Sequence, residues 1–321
     1  MPGGEIMSQV EQAQVPDFLH GQRLDAVAAQ LFPAWSRGRL KSWIESGALI
    51  INGAPAEKAR QPVATGDVLD LTVDEQPLAG NDRPQAIPLE VVYEDNDIAV
   101  INKPPGLTVH PGAGQSDSTM QNALLHRFPK TELLPRAGLV HRLDKDTSGL
   151  LIVGLTLVAY TRLVADMAAR DIRREYDALV NGAVTAGGTV DQPIGRDPRN
   201  RLKMAVVEDG RPAVTHYRVQ ERFANHTLLR VRLETGRTHQ IRVHMAQILH
   251  PIVGDAVYGG RITRGRNIEE TLRLALNGFP RQALHARNLQ LEHPVSGEEM
   301  EFSAEAPPDM LRLLDRLRAA P

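Results

Sequence analysis

The chain has 321 residues and no cysteine, which excludes a disulfide framework, an iron–sulfur cluster and any thiolate zinc site. Its 42% apolar and 24% charged residues are the balance of a folded protein, and its length favours two domains over one. With 37 basic against 39 acidic residues the net charge is -2, so a polyanion partner would have to be recognised by local clusters of charge.

No apolar run reaches the roughly 18 residues of a membrane span. The first positions carry Glu5, Glu11 and Asp17 where an export signal would be basic and then apolar, so a cytoplasmic protein is expected. Residues 1–17, Gly- and Gln-containing and without periodicity, are expected to form a flexible leader in which Met7 is a second candidate start.

Residues 18–75 form the first organised unit. Leu24, Val27, Ala28 and Leu31 share one helical face, and Pro33 stops that helix. A second helix has Ser36 as its cap, Leu40, Trp43 and Ile44 on its buried side, and Gly47 at its end. A short strand to Ile51, the turn pair Asn52-Gly53, and Gly66-Asp67 ahead of the alternating run Val68–Val73 complete the unit. Arg37 and Lys41 share a face of the second helix, with Arg39 and Arg23 nearby, a patch able to hold phosphates or simply a solvated surface. In order and spacing these parts resemble the S4 RNA-binding module, which makes Arg23, Arg37, Arg39 and Lys41 the candidate RNA contacts.

Residues 76–88 read as a linker, and 89–321 as the second unit. Leu89–Tyr93 and Ile98–Asn102 predict a hairpin that runs into the rigid loop Lys103-Pro104-Pro105-Gly106, a plausible substrate rim with Lys103 and His110 at its edges. From Leu139 to Val153, two apolar ends enclose His141, Arg142, Asp144, Lys145, Asp146, Thr147 and Ser148, more polar groups than a turn requires. Further on, Tyr176 falls in a strand with Ala178 and Val180 on its face. After the strand His226–Leu233, a Thr-Gly turn opens a helix whose free N–H groups are crowded by Arg237, His239 and Arg242, an arrangement suited to an anion. The basic loops Arg196–Lys203 and Arg261–Arg266 are expected to track RNA, with affinity falling as salt rises. A closing helix is expected over Met310–Arg318.

Common catalytic signatures are missing. His239 and His244 are five apart, not the four of a His-Glu-x-x-His zinc helix, Ser148 lacks a Gly-x-Ser-x-Gly elbow, and neither a P-loop nor a Rossmann fingerprint occurs. No metal is expected. Glycoside hydrolysis would need two carboxylates flanking a sugar, and beside Asp144 and Asp146 nothing identifies the acid partner.

The runs Lys103 to His110, His141–Leu150, Arg174-Glu175-Tyr176 and Gly236–His244, in the order of the family's pattern, resemble the RluA family of pseudouridine synthases. The S4-like front, the run 110–114 and the segment Pro251–Gly260 are similar to the branch that acts on a stem-loop of large-subunit ribosomal RNA; an acidic C-terminal extension of that branch has no counterpart here. The resemblance implies an α+β protein: a small S4-like RNA-binding module followed by a catalytic domain with a mixed, largely antiparallel sheet and peripheral helices. It also implies that Asp144 is the catalytic aspartate, that Tyr176 stacks on the base and takes its C5 proton, that Arg242 pairs with Asp144, and that Arg142 helps displace the target base. His141, Lys103, Arg237 and His239 would face the substrate.

Moving uracil from N1 to C5 attachment exchanges no atoms or electrons with another molecule, so no cofactor is required, only positioning, a carboxylate and a base. Asp144 could attack the base, attack the sugar, or promote proton loss from the sugar. A stacked uridine must be flipped out first, which is easiest in a loop. The expected partner is ribosomal RNA or a pre-ribosomal particle, met by a monomer with no membrane involved. A different reading is an RNA-binding assembly factor in which catalysis is secondary.

Overall fold

In the computed structural model the described residues are 9–33, 35, 37–73, 83–112, 115–259 and 269–320, with backbone alone at 9, 37–39 and 73. Ser36, most of the 76–88 linker, residues 113–114 and the basic loop 261–266 lie outside them. The chain divides into two units, residues 1–83 with 132–137 and residues 84–131 with 138–321.

In the first unit the apolar stripes meet a small sheet. Helices α1 (Leu24–Leu31) and α2 (Arg37–Ser46) follow strand β1 (Gln9–Gln14) and precede β2 (Leu49–Ile51), β3 (Ala54–Pro55) and β4 (Val68–Val73), in sheet order β1-β4-β2-β3. Leu24, Val27, Ala28, Leu40, Trp43 and Ile44 pack with Leu49, Leu69 and Leu71 in one core. Asn52 and Gly53 have φ of 51° and 78°, the left-handed pair that an Asn-Gly hairpin turn requires. The Asn52 amide donates to Asp67 Oδ1 at 2.8 Å and its oxygen accepts the Val68 N–H at 2.9 Å, joining the two turns. Strand β1 corrects the expected leader. Gln9–Gln14 pairs antiparallel with β4 along its whole length, an edge strand held by backbone bonds, with Val10 60% exposed and so without an apolar pattern.

The second unit is built on one nine-stranded sheet. Its elements are β5 (Glu90–Glu94), β6 (Ile98–Lys103), α3 (Met120–Arg127), β7 (Ser148–Gly154), α4 (Leu157–Ala169), β8 (Arg173–Asn181), β9 (Gly188–Asp191), β10 (Ile194–Arg196), β11 (Met204–Val206), β12 (Val214–Arg222), β13 (His226–Leu233), α5 (Gln240–Gln247), α6 (Glu270–Asn277), β14 (Leu284–Glu292), β15 (Glu299–Ser303) and α7 (Pro308–Ala319). The order is β5-β6-β7-β14-β8-β13-β12-β9, with β15 on β14 and a separate β10-β11 pair. The predicted hairpin is β5-β6. Only β7 and β14 run parallel, so the sheet is mixed and largely antiparallel, as expected. β7 is buried at every residue, and Leu150 and Ile152 pack with Ile98, Val100, Leu163 and Leu289, each such side chain worth about 1.5–3 kcal/mol. At Gly149 a Cβ would stand 2.2 Å from Ala286 O, so only glycine lets β7 approach β14 there. Among the described residues no helix is long and apolar enough to cross a membrane.

Candidate active site

The polar loop ahead of β7 is pinned carbonyl by carbonyl. Asp144 O accepts from Thr147 N at 3.1 Å, and Lys145 O from Gly106 N at 3.0 Å. Lys103 Nζ also donates to Lys145 O, at 2.8 Å, and Arg281 Nη1 donates to Asp146 O at 3.1 Å. Arg281 in turn grips Asp309, at the start of α7, with two nitrogens at 2.7 and 2.9 Å. Successive carbonyls are thus fixed by different elements, and the Asp144 side chain projects from a rigid frame.

Lys103 corrects an expectation. It is 0% exposed, and its ammonium donates to Pro104 O, Leu107 O and Lys145 O at 2.8–2.9 Å, which leaves no N–H for a substrate. Burial pushes its pKa down to about 7 against the pull of Asp146 and Asp144. His141 also turns inward. Its Nε2 accepts the Ile152 N–H at 3.0 Å, which fastens the loop to β7 and puts the ring proton on Nδ1, buried without a partner among the described residues. Burial, with Arg174 and His110 nearby, lowers its pKa to about 3, so the ring is neutral. Lys103 shapes the loop from beneath instead of facing a substrate, while His141, half-buried, ties the loop to β7.

Arg242, in the first turn of α5, reaches Asp144. Its Nη1 donates to Asp144 Oδ2 at 2.9 Å, while Nε and Nη2 hold Asp255 Oδ2 and Oδ1 at 2.7 and 3.0 Å. Burial disfavours the guanidinium charge, but the Asp255 hydrogen bonds and the charges of Asp255 and Asp144 override it and raise its pKa. Asp255 is buried as well, yet Arg242 and the Tyr258 and Val257 N–H groups, 3.0 and 2.9 Å from Oδ1, keep its carboxyl below the usual range. Asp144 Oδ1 accepts no hydrogen bond among the described residues; His239 Nε2 stands 3.9 Å from it, outside hydrogen-bond reach. One carboxylate oxygen is therefore oriented and the other left open.

His239 caps α5 at a left-handed φ of 57°, uncommon for a side-chain-bearing residue and a mark of a constrained site. Its Nδ1 lies 2.8 Å from the Tyr258 hydroxyl, which accepts the Met204 N–H at 2.9 Å. Burial lowers the His239 pKa despite Asp144, so the ring is neutral at physiological pH. The Tyr258 ring also lies under the Arg242 guanidinium, 5.0 Å from its centroid. Tyr176, 5% exposed on β8, lies near enough to Asp144 to feel its charge; burial first, then Asp144, raises its pKa against Arg174, so the phenol keeps its proton.

Of the remaining expected residues, Arg142 is exposed with no hydrogen bond or ion pair among the described residues. Arg237 turns to Pro212 O at 3.1 Å. In the first unit Arg23 lies against Asp25 with two nitrogens at 3.0 and 2.7 Å, Lys41 pairs with Glu45 at 3.4 Å, and the side chains of Arg37 and Arg39 lie outside the described residues. In the loop 196–203, Arg196, Arg199 and Arg201 are exposed and Lys203 donates to Val257 O at 3.0 Å, which sets that basic loop beside Tyr258.

Asp255, Tyr258 and Arg281 escaped the sequence reading. Asp255 and Tyr258 lie in the segment Pro251–Gly260 that carried part of the resemblance, which was the available signal; Arg281 had none.

Residues 97–247 match the family model described as RNA pseudouridylate synthase, and residues 22–69 match the S4 domain. The Ribosomal large subunit pseudouridine synthase D of Xanthomonas campestris pv. campestris is 54% identical over 313 residues, 97% of this chain and 93% of that protein. Its namesake in Escherichia coli (strain K12) is 53% identical over 299 residues, 93% of this chain and 91% of that one. Among solved structures, Human RNA Pseudouridylate Synthase Domain Containing 1 superposes with a TM-score of 0.55 at 27% identity, covering 74% of this chain and 97% of its own. Human RNA Pseudouridylate Synthase Domain Containing 4 gives 0.56 at 25% identity, covering 71% and 93%.

Proposed function

Because this chain belongs to the RNA pseudouridylate synthase family, we propose that it isomerises specific uridines of large-subunit ribosomal RNA to pseudouridine, with Asp144 as the reacting carboxylate. The observation that carries this reading is Asp144 itself, one oxygen held by Arg242 at 2.9 Å and the other unengaged, on a loop with immobilised carbonyls. The names of the relatives favour the catalytic role over that of an assembly factor.

The reaction breaks the N1–C1′ bond, turns the uracil, joins C5 to C1′, releases the C5 proton and returns a proton to N1. Arg242 aims Asp144, and it can do so without folding onto it because Asp255 takes its other two nitrogens and the larger part of its charge balance. Tyr176 offers an apolar, proton-bearing ring on which the flipped base stacks; as acceptor of the C5 proton it would first have to hand on its own. Arg142, exposed and unpaired, is free to enter the space the base vacates and offset part of the few kcal/mol of unstacking. The substrate arrives as ribosomal RNA or a pre-ribosomal particle bound by a monomer, the S4 unit and the loop 196–203 supplying phosphate contacts.

RNA tritiated at uridine C5 tests the reading. The protein is expected to release tritium to water in proportion to pseudouridine formed in ribosomal RNA, and full retention of the label would remove the enzymatic reading.

A further inference from the structure

Three arginines are buried among the described residues: Arg174, Arg242 and Arg281, each 6% exposed. Arg242 faces Asp255 and Asp144, and Arg281 faces Asp309. Among the described residues Arg174 has no carboxylate within ion-pair reach, and its Nε–H is buried without an acceptor. A buried charge left unpaired is among the most unfavourable arrangements a fold can retain.

The alternation of β8 explains how this arises. Glu175 and Asp177 point to the opposite side of the sheet, where Arg230 takes both, at 3.2 and 2.8 Å. Arg174 points to the side of Tyr176, about 7 Å along the strand from it. Its guanidinium reaches the turn before α5, where a Cβ on Gly236 would stand 3.2 Å from Nη1. It therefore lies between the stacking tyrosine and the segment that carries His239 and Arg242.

We propose that Arg174 is the receptor for a phosphodiester of the target strand next to the flipped uridine, so that this arginine acquires its counter-ion only when RNA is bound. This rests on the RNA-substrate reading above. A full negative charge is what the site lacks: a uracil carbonyl would fill hydrogen bonds but leave the charge unbalanced, whereas a phosphodiester offers two oxygens to the guanidinium fork. Gly236 keeps the approach to Nη1 clear of side-chain atoms.

The test uses the full chain in an Asp144→Asn background, so that binding is read without turnover. Arg174→Met keeps the volume and removes the charge. It is expected to melt at or above its parent, to bind a target stem-loop at least tenfold more weakly, and to flatten the slope of log affinity against log salt by about 0.7, one single-strand phosphate. Arg174→Lys should restore most of that slope. A neutral methylphosphonate placed 5′ or 3′ of the target uridine should weaken the parent at one position and leave Arg174→Met indifferent there. A fall in melting temperature with unchanged affinity and slope would make Arg174 structural, and weakened affinity with an unchanged slope would place it on the base; either overturns the proposal. Should Arg174→Met not fold, insensitivity of the parent to both methylphosphonates overturns it too. The tritium assay on the unaltered protein is read separately, so failure of the enzymatic reading and failure of this one are distinct results.

Discussion

Arg242 meets Asp255 side by side, Nε and Nη2 on the two carboxylate oxygens at 2.7 and 3.0 Å, so that only Nη1 turns towards Asp144. The geometry divides labour between two acids: one neutralises the guanidinium and the other is steered by it. Removing the neutralising acid should therefore do more harm to the fold than removing Asp144, the proposed reacting one.

Asp255→Ala leaves a buried guanidinium whose remaining carboxylate is Asp144. A loss of about 3–5 kcal/mol in urea unfolding is expected, because breaking a buried pair strands the other charge. Tritium release should fall at least a hundredfold, since Arg242 is then free to close both forks on Asp144 and occupy the open oxygen. Retained activity with unaltered stability would contradict the division.

Asp144→Asn should behave oppositely. Arg242 keeps Asp255, so unfolding free energy should stay within about 1 kcal/mol of the parent while turnover falls by at least about a thousandfold. Unfolding curves and tritium release on the same preparation decide it, and measurable turnover by the asparagine protein would dismiss Asp144 as the reacting group.

Arg242→Lys keeps the charge but not the three-way fork. An ammonium can satisfy one acid well and not both in these directions. Turnover should drop by about a hundredfold or more, with RNA affinity changed much less, in single-turnover and binding measurements.

Lys103→Met removes the donor shared by three carbonyls, two of them in the loop that follows β6 and one beside Asp144. Leaving buried acceptors unpaired should destabilise the protein by about 2–5 kcal/mol. The conservative Lys103→Arg is expected to fail as well, because the planar fork does not match three converging carbonyls.

His141 sets an acid limit on stability. Its pKa lies near 3 in the folded protein and at 6.5 when free, so between these values the unfolded chain binds a proton that the native ring refuses. Stability is then complete above about pH 6.5 and is lost on acidification, by up to about 1.4 kcal/mol per unit. His141→Gln, which can still accept the Ile152 N–H, should show a shallower loss between pH 6.5 and 4; parallel curves would assign the acid sensitivity elsewhere.

Local signals carried the parts of the molecule that local physics determines. The stripe Leu24, Val27, Ala28 and Leu31 and the pair Asn52-Gly53 became the helix and turn expected of them. Strand β1 was illegible because an exposed edge strand needs only backbone partners. Lys103 misled for a related reason: a lysine ahead of Pro-Pro-Gly reads as solvent-facing until Leu107 O and Lys145 O, the latter distant in sequence, are seen to converge on it. The pairing of Asp144 with Arg242 came from family resemblance, since nothing in either segment points across the intervening chain.

Strand β14 forms late in the chain and yet sits at the middle of the sheet, between β7 and β8. During synthesis those two strands, which lead from the Asp144 loop and carry Tyr176, must wait unjoined until residue 292 has left the ribosome. The enzyme is therefore silent as a nascent chain until β14 has emerged to join them.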